Sequence, residues 1–226
     1  PRFPLLAQEC TAQIGEEVEW IAPLPKNNFK EYKLNQNEAM SSLFPGADKM
    51  NIFDFWPKNQ PQWDGIAIGR NSGTLYLVEA KSYRQEAEGQ KSKAKDPKSI
   101  NQINETLKKN HAVHFPQGNF TLWTEGHYQL ANRLTFLYEI QARCVPQFFP
   151  SVRLVGDPTM KKTTREEWES YYSNVFEEML GTAQTPQGVL LLHLDVELCH
   201  RYQALKNMVR NRSTAFAALM HFIEQE

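Results

Sequence analysis

Trp63-Asp64-Gly65-Ile66-Ala67-Ile68-Gly69 and, past the turn residues Asn71-Ser72-Gly73, Thr74-Leu75-Tyr76-Leu77-Val78-Glu79-Ala80-Lys81 carry the most legible structure in the chain. Ile66 and Ile68 recur with a period of two, as do Leu75 and Leu77, and Asn-Ser-Gly supplies turn chemistry between them. The two segments therefore read as an antiparallel hairpin. Pairing about a centre near Ser72 sets Asp64 opposite residues 79 to 80. Side chains alternate along a strand, so Glu79 and Lys81 share a face. Two acids and an amine are thereby expected at one end of one hairpin.

Outward from the hairpin, helical and extended signals alternate. Ile14, Val18 and Ile21 recur at helical spacing and predict a first helix from Leu5 to Ile21, ended by Pro23 and Pro25. Lys26 to Lys49 is polar and reads as loop, and Asn51 to Trp56 as a first strand. Beyond the hairpin, Tyr83 to Lys95 is a charged loop. Asp96-Pro97 has the form of an N-cap with proline at the first helical position, opening a helix to about Asn110. Tyr128 to Arg143 predicts a long helix and Val152 to Val155 a short strand, closed by Gly156-Asp157-Pro158. Thr164 followed by Glu167 is a capping box for a helix to Leu180. Gly188 to Val196, the most apolar strand, is expected at the centre of the sheet, with helices at Tyr202 to Val209 and Thr214 to Glu224 after it. The order predicts an α/β protein, a mixed sheet flanked by helices.

The 226 residues suit one domain with elaborations, a core over about residues 5–155 and a C-terminal addition over about 160–226. At 41% hydrophobic and 23% charged the chain has globular composition, and a net charge of -1 means that any basic surface must be local. Cys10, Cys144 and Cys199 are an odd, sparse set, as expected of reduced thiols in the cytoplasm. The longest apolar run, Val189 to Leu192, is too short to span a membrane, and Pro1-Arg2-Phe3-Pro4 has no secretory pattern; the missing initiator Met suggests a trimmed chain.

Asp64 and Glu79 converging in water-poor surroundings repel unless a cation lies between them. Mg2+ suits such a site, because it takes oxygen ligands and keeps several waters, and the backbone carbonyl of Ala80 is a further candidate ligand. An ammonium at Lys81 is placed to orient a metal-bound water or to stabilise charge on phosphorus. Taken alone, Glu-X-Lys is a weak signal, since such triplets are common on exposed strands.

The segments Trp63-Asp64-Gly65-Ile66 and Leu77-Val78-Glu79-Ala80-Lys81 resemble the PD-(D/E)XK nuclease superfamily, the restriction endonuclease-like fold. The resemblance extends over Leu5 to Val155 through the element order αβββαβ. It departs from the family at the proline that names the motif, where Trp63 stands. It implies that Asp64, Glu79 and Lys81 hold metal and water for phosphodiester cleavage, with Mg2+, or Mn2+ in its place, as cofactor. It implies an endonuclease acting on DNA, with RNA as the alternative substrate and a homodimer as one assembly. Many members place a glutamate on the first helix; Glu17 borders the apolar stripe and is the choice among Glu16, Glu17 and Glu19. Several place a glutamine on the helix after the lysine, a position that Gln102 matches, with Asn101 and Asn104 as alternatives.

Lys91, Lys93, Lys95 and Lys98, with Tyr83 as a stacking group, are the candidate nucleic-acid contacts, against the plainer reading of a solvated loop. Trp56 and Trp63 are divided between base stacking and core packing. His111 and His114 have helical spacing for zinc but no further ligand pattern nearby. Cys199-His200 reads as a helix end, and Asp157 as a turn residue near a strand terminus. The chain has no Walker-type loop, dinucleotide fingerprint or nucleophile elbow. The competing function is a catalytically silent nucleic-acid-binding or scaffold protein.

Overall fold

The computed structural model describes residues 10–22, 24, 30–36, 52–89, 91–143, 147–155 and 162–195. Among them five strands form one mixed sheet in the order β1-β2-β3-β4-β5. These are β1 (Val18–Ala22), β2 (Gly65–Gly69), β3 (Leu75–Lys81), β4 (Gln147–Val155) and β5 (Val189–Asp195). The first three run antiparallel, and β3, β4 and β5 are parallel. Parallel neighbours need crossovers. Helices α1 (Pro97–His114), α2 (Phe120–Glu125) and α3 (Tyr128–Gln141) carry the chain from β3 to β4, and α4 (Arg165–Leu180) from β4 to β5. The mixed α/β class expected from the sequence is the class observed.

The hairpin forms as its sequence requires. Gly65 pairs with Val78 and Ile68 with Leu75, and the turn is closed by Gly73 at φ 68°. A carboxylate holds this turn from outside the hairpin. Glu16 Oε2 accepts from Asn71 N at 3.3 Å and Ser72 N at 3.2 Å, while Oε1 accepts from Ser72 Oγ at 2.6 Å and the Tyr76 hydroxyl at 2.7 Å.

Three predicted elements fall differently. Among the described residues the first helix includes 10–14, and it stops where Gly15 adopts φ 88° with its N–H on the Thr11 carbonyl. Glycine reaches this left-handed conformation without a Cβ clash, so it ends the helix before the strand-forming run Val18-Glu19-Trp20-Ile21 begins. Residues 52–55 are turn, not strand; Ile52, Phe55 and Trp56 are buried as apolar anchors. The third antiparallel strand is therefore β1 rather than Asn51–Trp56. β5 lies at one end of the described strand order rather than at its centre. Its uninterrupted apolar character has another cause. Val189 and Leu191 meet the large core, while Leu190, Leu192 and Leu194 pack with Cys10, Ile14 and Val78 on the opposite face.

Both predicted N-caps are present. Asp96 accepts from Ser99 N with proline opening α1, and Thr164 and Glu167 form a reciprocal capping box on α4. The sequence reading gave α2 no place; Asn119 caps it and Trp123 buries it. Helix α3 is buried on nearly all sides, Arg133 and Glu139 included, so it packs between the sheet and the other helices. No helix among the described residues is long and apolar enough to cross a membrane. Cys144, Asp157, Cys199, His200 and the two predicted C-terminal helices lie outside the described residues.

Candidate active site

Along β3, Leu75 and Leu77 belong to the large core, and Glu79 and Lys81 follow on the same face. The apolar row thus ends in two charged side chains beneath α3. Both are nearly sealed, Glu79 at 5% and Lys81 at 6% exposure. Such groups persist only when paired and hydrogen-bonded. Lys81 Nζ donates to Glu79 Oε1 at 2.5 Å, and Gln129 Nε2 donates to the same oxygen at 2.5 Å. Arg133 places Nε and Nη2 on Glu79 Oε2 at 2.8 and 2.7 Å. Gln129 and Arg133 are four apart on α3 and so share a face. Arg133 is held in turn by the Gln62 carbonyl at 2.8 Å, Asn132 Oδ1 at 2.8 Å and the Trp63 ring, whose centroid lies 4.5 Å below the guanidinium.

Asp64 is one step beyond the Gly65–Val78 pair, against the Glu79 end of β3. Its Oδ2 accepts from Ala80 N at 2.7 Å, continuing the ladder with a side chain where the backbone pairing stops. Burial, and after it the charge of Glu79, raise its carboxyl from 3.8 to about 6. The Ala80 amide and the Lys81 charge work against that rise, and Glu31 adds to it. Among the described residues, Oδ1 of Asp64 accepts no hydrogen bond.

Asp64, Glu79 and the buried amide oxygen Oε1 of Gln129, which has no hydrogen-bond partner among the described residues, are the oxygen groups that would ligate a hard divalent cation there. No group of three or more His, Cys, Asp or Glu side chains able to hold a metal ion occurs among the described residues, so a cation here would rest on two carboxylates with backbone or amide oxygens. Glu79 imposes one condition. A carboxylate offers about four lone-pair positions. Lys81 and Gln129 take those of Oε1, and the two Arg133 nitrogens take those of Oε2. A cation would reach Glu79 only if one of these donors left.

Two hollows flank the group. A small one of about 20 Å³ lies over Glu79 and Lys81 and is closed by His127, Tyr171 and Tyr172. A large open cleft of about 700 Å³ passes on the other side of Arg133, with Lys33, Lys91, Lys93 and Lys95 on its walls. Three of the predicted nucleic-acid contacts, Lys91, Lys93 and Lys95, thus line one cleft. Lys98 and Tyr83 are not among its walls.

The structure does not bring Glu17 or Gln102 to Glu79. Glu17 precedes β1, is solvent-exposed, and faces Arg70 at 3.9 Å beside the hairpin turn. Glu16 binds that same turn and Glu19 pairs with Ile68, so all three lie towards the turn end. Glu79 lies five steps along the chain from Thr74, roughly 17 Å at the usual strand rise. The early helix end at Gly15 is the cause. Gln102 donates instead to the Asp54 carbonyl at 2.8 Å, fastening α1 to the segment before β2. Gln129 and Arg133 were missed by the sequence reading. Their signal was there: an amide and a guanidinium four residues apart, Gln129 and Arg133, in a helical segment with the apolar residues Leu130, Ala131 and Leu134 between and beside them. His111 and His114 have structural partners. His111 Nε2 lies 3.0 Å from the Gly118 carbonyl, and His114 stacks on Tyr138 at 4.1 Å. Trp63 and Trp56 are core residues.

No family model, curated protein or solved structure matches this chain.

Proposed function

We propose that the protein is a metal-dependent nuclease that hydrolyses phosphodiester bonds of DNA, on a core of the restriction endonuclease-like kind. One observation supports this most directly: Asp64, Glu79 and Lys81 meet at one end of a hairpin, beside a cleft lined by lysines. Asp64, Glu79, the Ala80 carbonyl and the Gln129 amide oxygen are the groups that would hold Mg2+ or Mn2+. When bound, the ion supplies Lewis acidity and an activated water near neutral pH. Lys81, pinned at 2.5 Å to Glu79, orients that water and stabilises charge developing on phosphorus. Lys91, Lys93 and Lys95 neutralise backbone phosphates and set the strand in the cleft.

A second reading, a silent nucleic-acid-binding protein on the same scaffold, is favoured by the full hydrogen bonding of Glu79. A cleavage assay separates the two. Duplex, single-stranded, flap and junction DNA, with RNA as control, are incubated with Mg2+ or Mn2+. Turnover that disappears in Asp64→Asn and Lys81→Met supports the nuclease. Oligonucleotide binding without turnover in the wild type would leave the silent reading standing.

A further inference from the structure

Arg133 stands between two hollows. It borders the small hollow over Glu79 and the large cleft at once, the one residue common to the two linings. On the inner side it puts two nitrogens on Glu79 Oε2. On the outer side, among the described residues, the cleft gathers five cations, Lys33, Lys91, Lys93, Lys95 and Arg133, against one acid, Asp96. Asp96 is occupied as the cap of α1, accepting from Ser99 N and Oγ at 2.9 and 2.8 Å. Lys93 and Lys95 are exposed and make no ion pair among the described residues. Lys33 binds Asn59 Oδ1, and Lys91 lies 4.0 Å from Glu125. Such a cleft attracts a chain of phosphodiesters, and a guanidinium pairs with phosphate as readily as with carboxylate.

We propose that Arg133 is a latch on the cation site: a phosphodiester in the cleft draws the guanidinium off Glu79, and the freed Oε2 becomes available to a divalent cation. This rests on the nuclease reading of the same residues and adds its regulation. Glu79 is buried, so it does not exist there as an unpaired anion. With the cleft empty, Arg133 and Lys81 neutralise it. With phosphate in the cleft, the lost positive charge is replaced by the cation. Strand and cation then bind cooperatively, and each strengthens the other by the same factor. Arg133 acts through Glu79 and is a positioning residue rather than a catalytic one.

The test uses the whole chain, an uncleavable phosphorothioate oligothymidylate and Mn2+. Two readouts are taken: Mn2+ affinity by calorimetry, and the Arg133 Nε–H resonance by NMR. The latch predicts that saturating oligonucleotide shifts the Nε–H signal and raises Mn2+ affinity by about tenfold or more. It also predicts that Arg133→Gln raises Mn2+ affinity with no oligonucleotide present and removes most of the oligonucleotide's effect. Should Arg133→Gln fail to fold, Arg133→Lys retains the charge with a single point contact and gives an intermediate gain. An unshifted Nε–H signal in the saturated complex overturns the latch. So does Mn2+ binding that is the same with and without oligonucleotide, in which case the cation site itself survives. Absence of Mn2+ binding in every variant, with oligonucleotide bound, overturns the latch and the nuclease reading together.

Discussion

Arg133 holds Glu79 through two nitrogens on a single oxygen, Nε at 2.8 Å and Nη2 at 2.7 Å, with both side chains buried. A carboxylate from β3 and a guanidinium from α3 thereby lock the crossover helix to the sheet at the strand's end. Removing one member of a buried pair strands the other, which typically costs more than the pair is worth. Glu79→Ala leaves Arg133 and Lys81 buried without a counter-charge. It should lower unfolding stability by about 3–5 kcal/mol in urea titrations. A loss under about 1 kcal/mol would show the pair to be solvated and movable at little cost.

Asp64 gives a pH dependence of known sign. Its carboxyl is raised from 3.8 to about 6 in the folded chain, by burial first and the charge of Glu79 second. The folded state therefore holds this proton more tightly than the unfolded state. The resulting stability is fully present below 3.8 and is lost as pH rises through about 6. Asp64→Asn keeps an acceptor for Ala80 N and removes the titration. The variant should be more stable above pH about 7, by about 1–2 kcal/mol after solvent screening. Urea midpoints across this range would run parallel for wild type and variant if the carboxyl were not displaced.

Glu16 has the opposite sign. Hydrogen bonds from Ser72 Oγ and the Tyr76 hydroxyl, with the turn amides, lower its carboxyl from 4.5 to about 2. The folded state binds this proton less tightly, so the stabilisation is present above 4.5 and is lost as pH falls through about 2. Glu16→Gln should remove that part of the acid transition and loosen the hairpin turn. Faster amide exchange at Ser72 is the local readout; unchanged exchange argues that the turn holds by itself.

Gly118 is placed against backbone. A Cβ built there would lie 2.2 Å from the Met179 carbonyl oxygen, which also accepts from Trp123 Nε1 at 3.1 Å. The other atoms in reach, Leu180 Cα and the Met179 carbonyl carbon, are backbone as well. Gly118→Ala must push the start of α2 away from the end of α4, with an expected loss of about 1–3 kcal/mol. Thermal unfolding of the single variant measures it, and a wild-type midpoint would mean that the loop yields freely.

Lys93 and Lys95 should act through charge alone. Each, replaced by Ala, should weaken oligonucleotide binding evenly across sequences and reduce the salt slope by about 1. Anisotropy titrations at several salt concentrations provide the slope. Equal slopes for wild type and variants would remove the cleft from the binding surface.

Much of this architecture was legible because its signals are local. The hairpin from Asp64 to Lys81, the Asp96-Pro97 start and the Thr164/Glu167 box each depend on residues within a few positions of one another, and each has the predicted form. The failures have local causes as well. Gly15 in the left-handed region outweighs the helical spacing of Val18 and Ile21. The buried turn at residues 52–55 imitates a strand because its apolar residues anchor the segment to α1 and α3 rather than pair it.

By itself the sequence determined that Glu79 and Lys81 share one strand face and that Asp64 sits against them, since alternation and hairpin register depend on neighbours along the chain. Only the tertiary structure decided what surrounds them. Arg133 and Gln129 arrive from a helix about fifty residues later. Glu17 is carried away because a single glycine ends the helix that was to hold it. Which side chains come to neutralise a buried charge depends on how helices pack across the sheet, and chain separation imposes no rule on that.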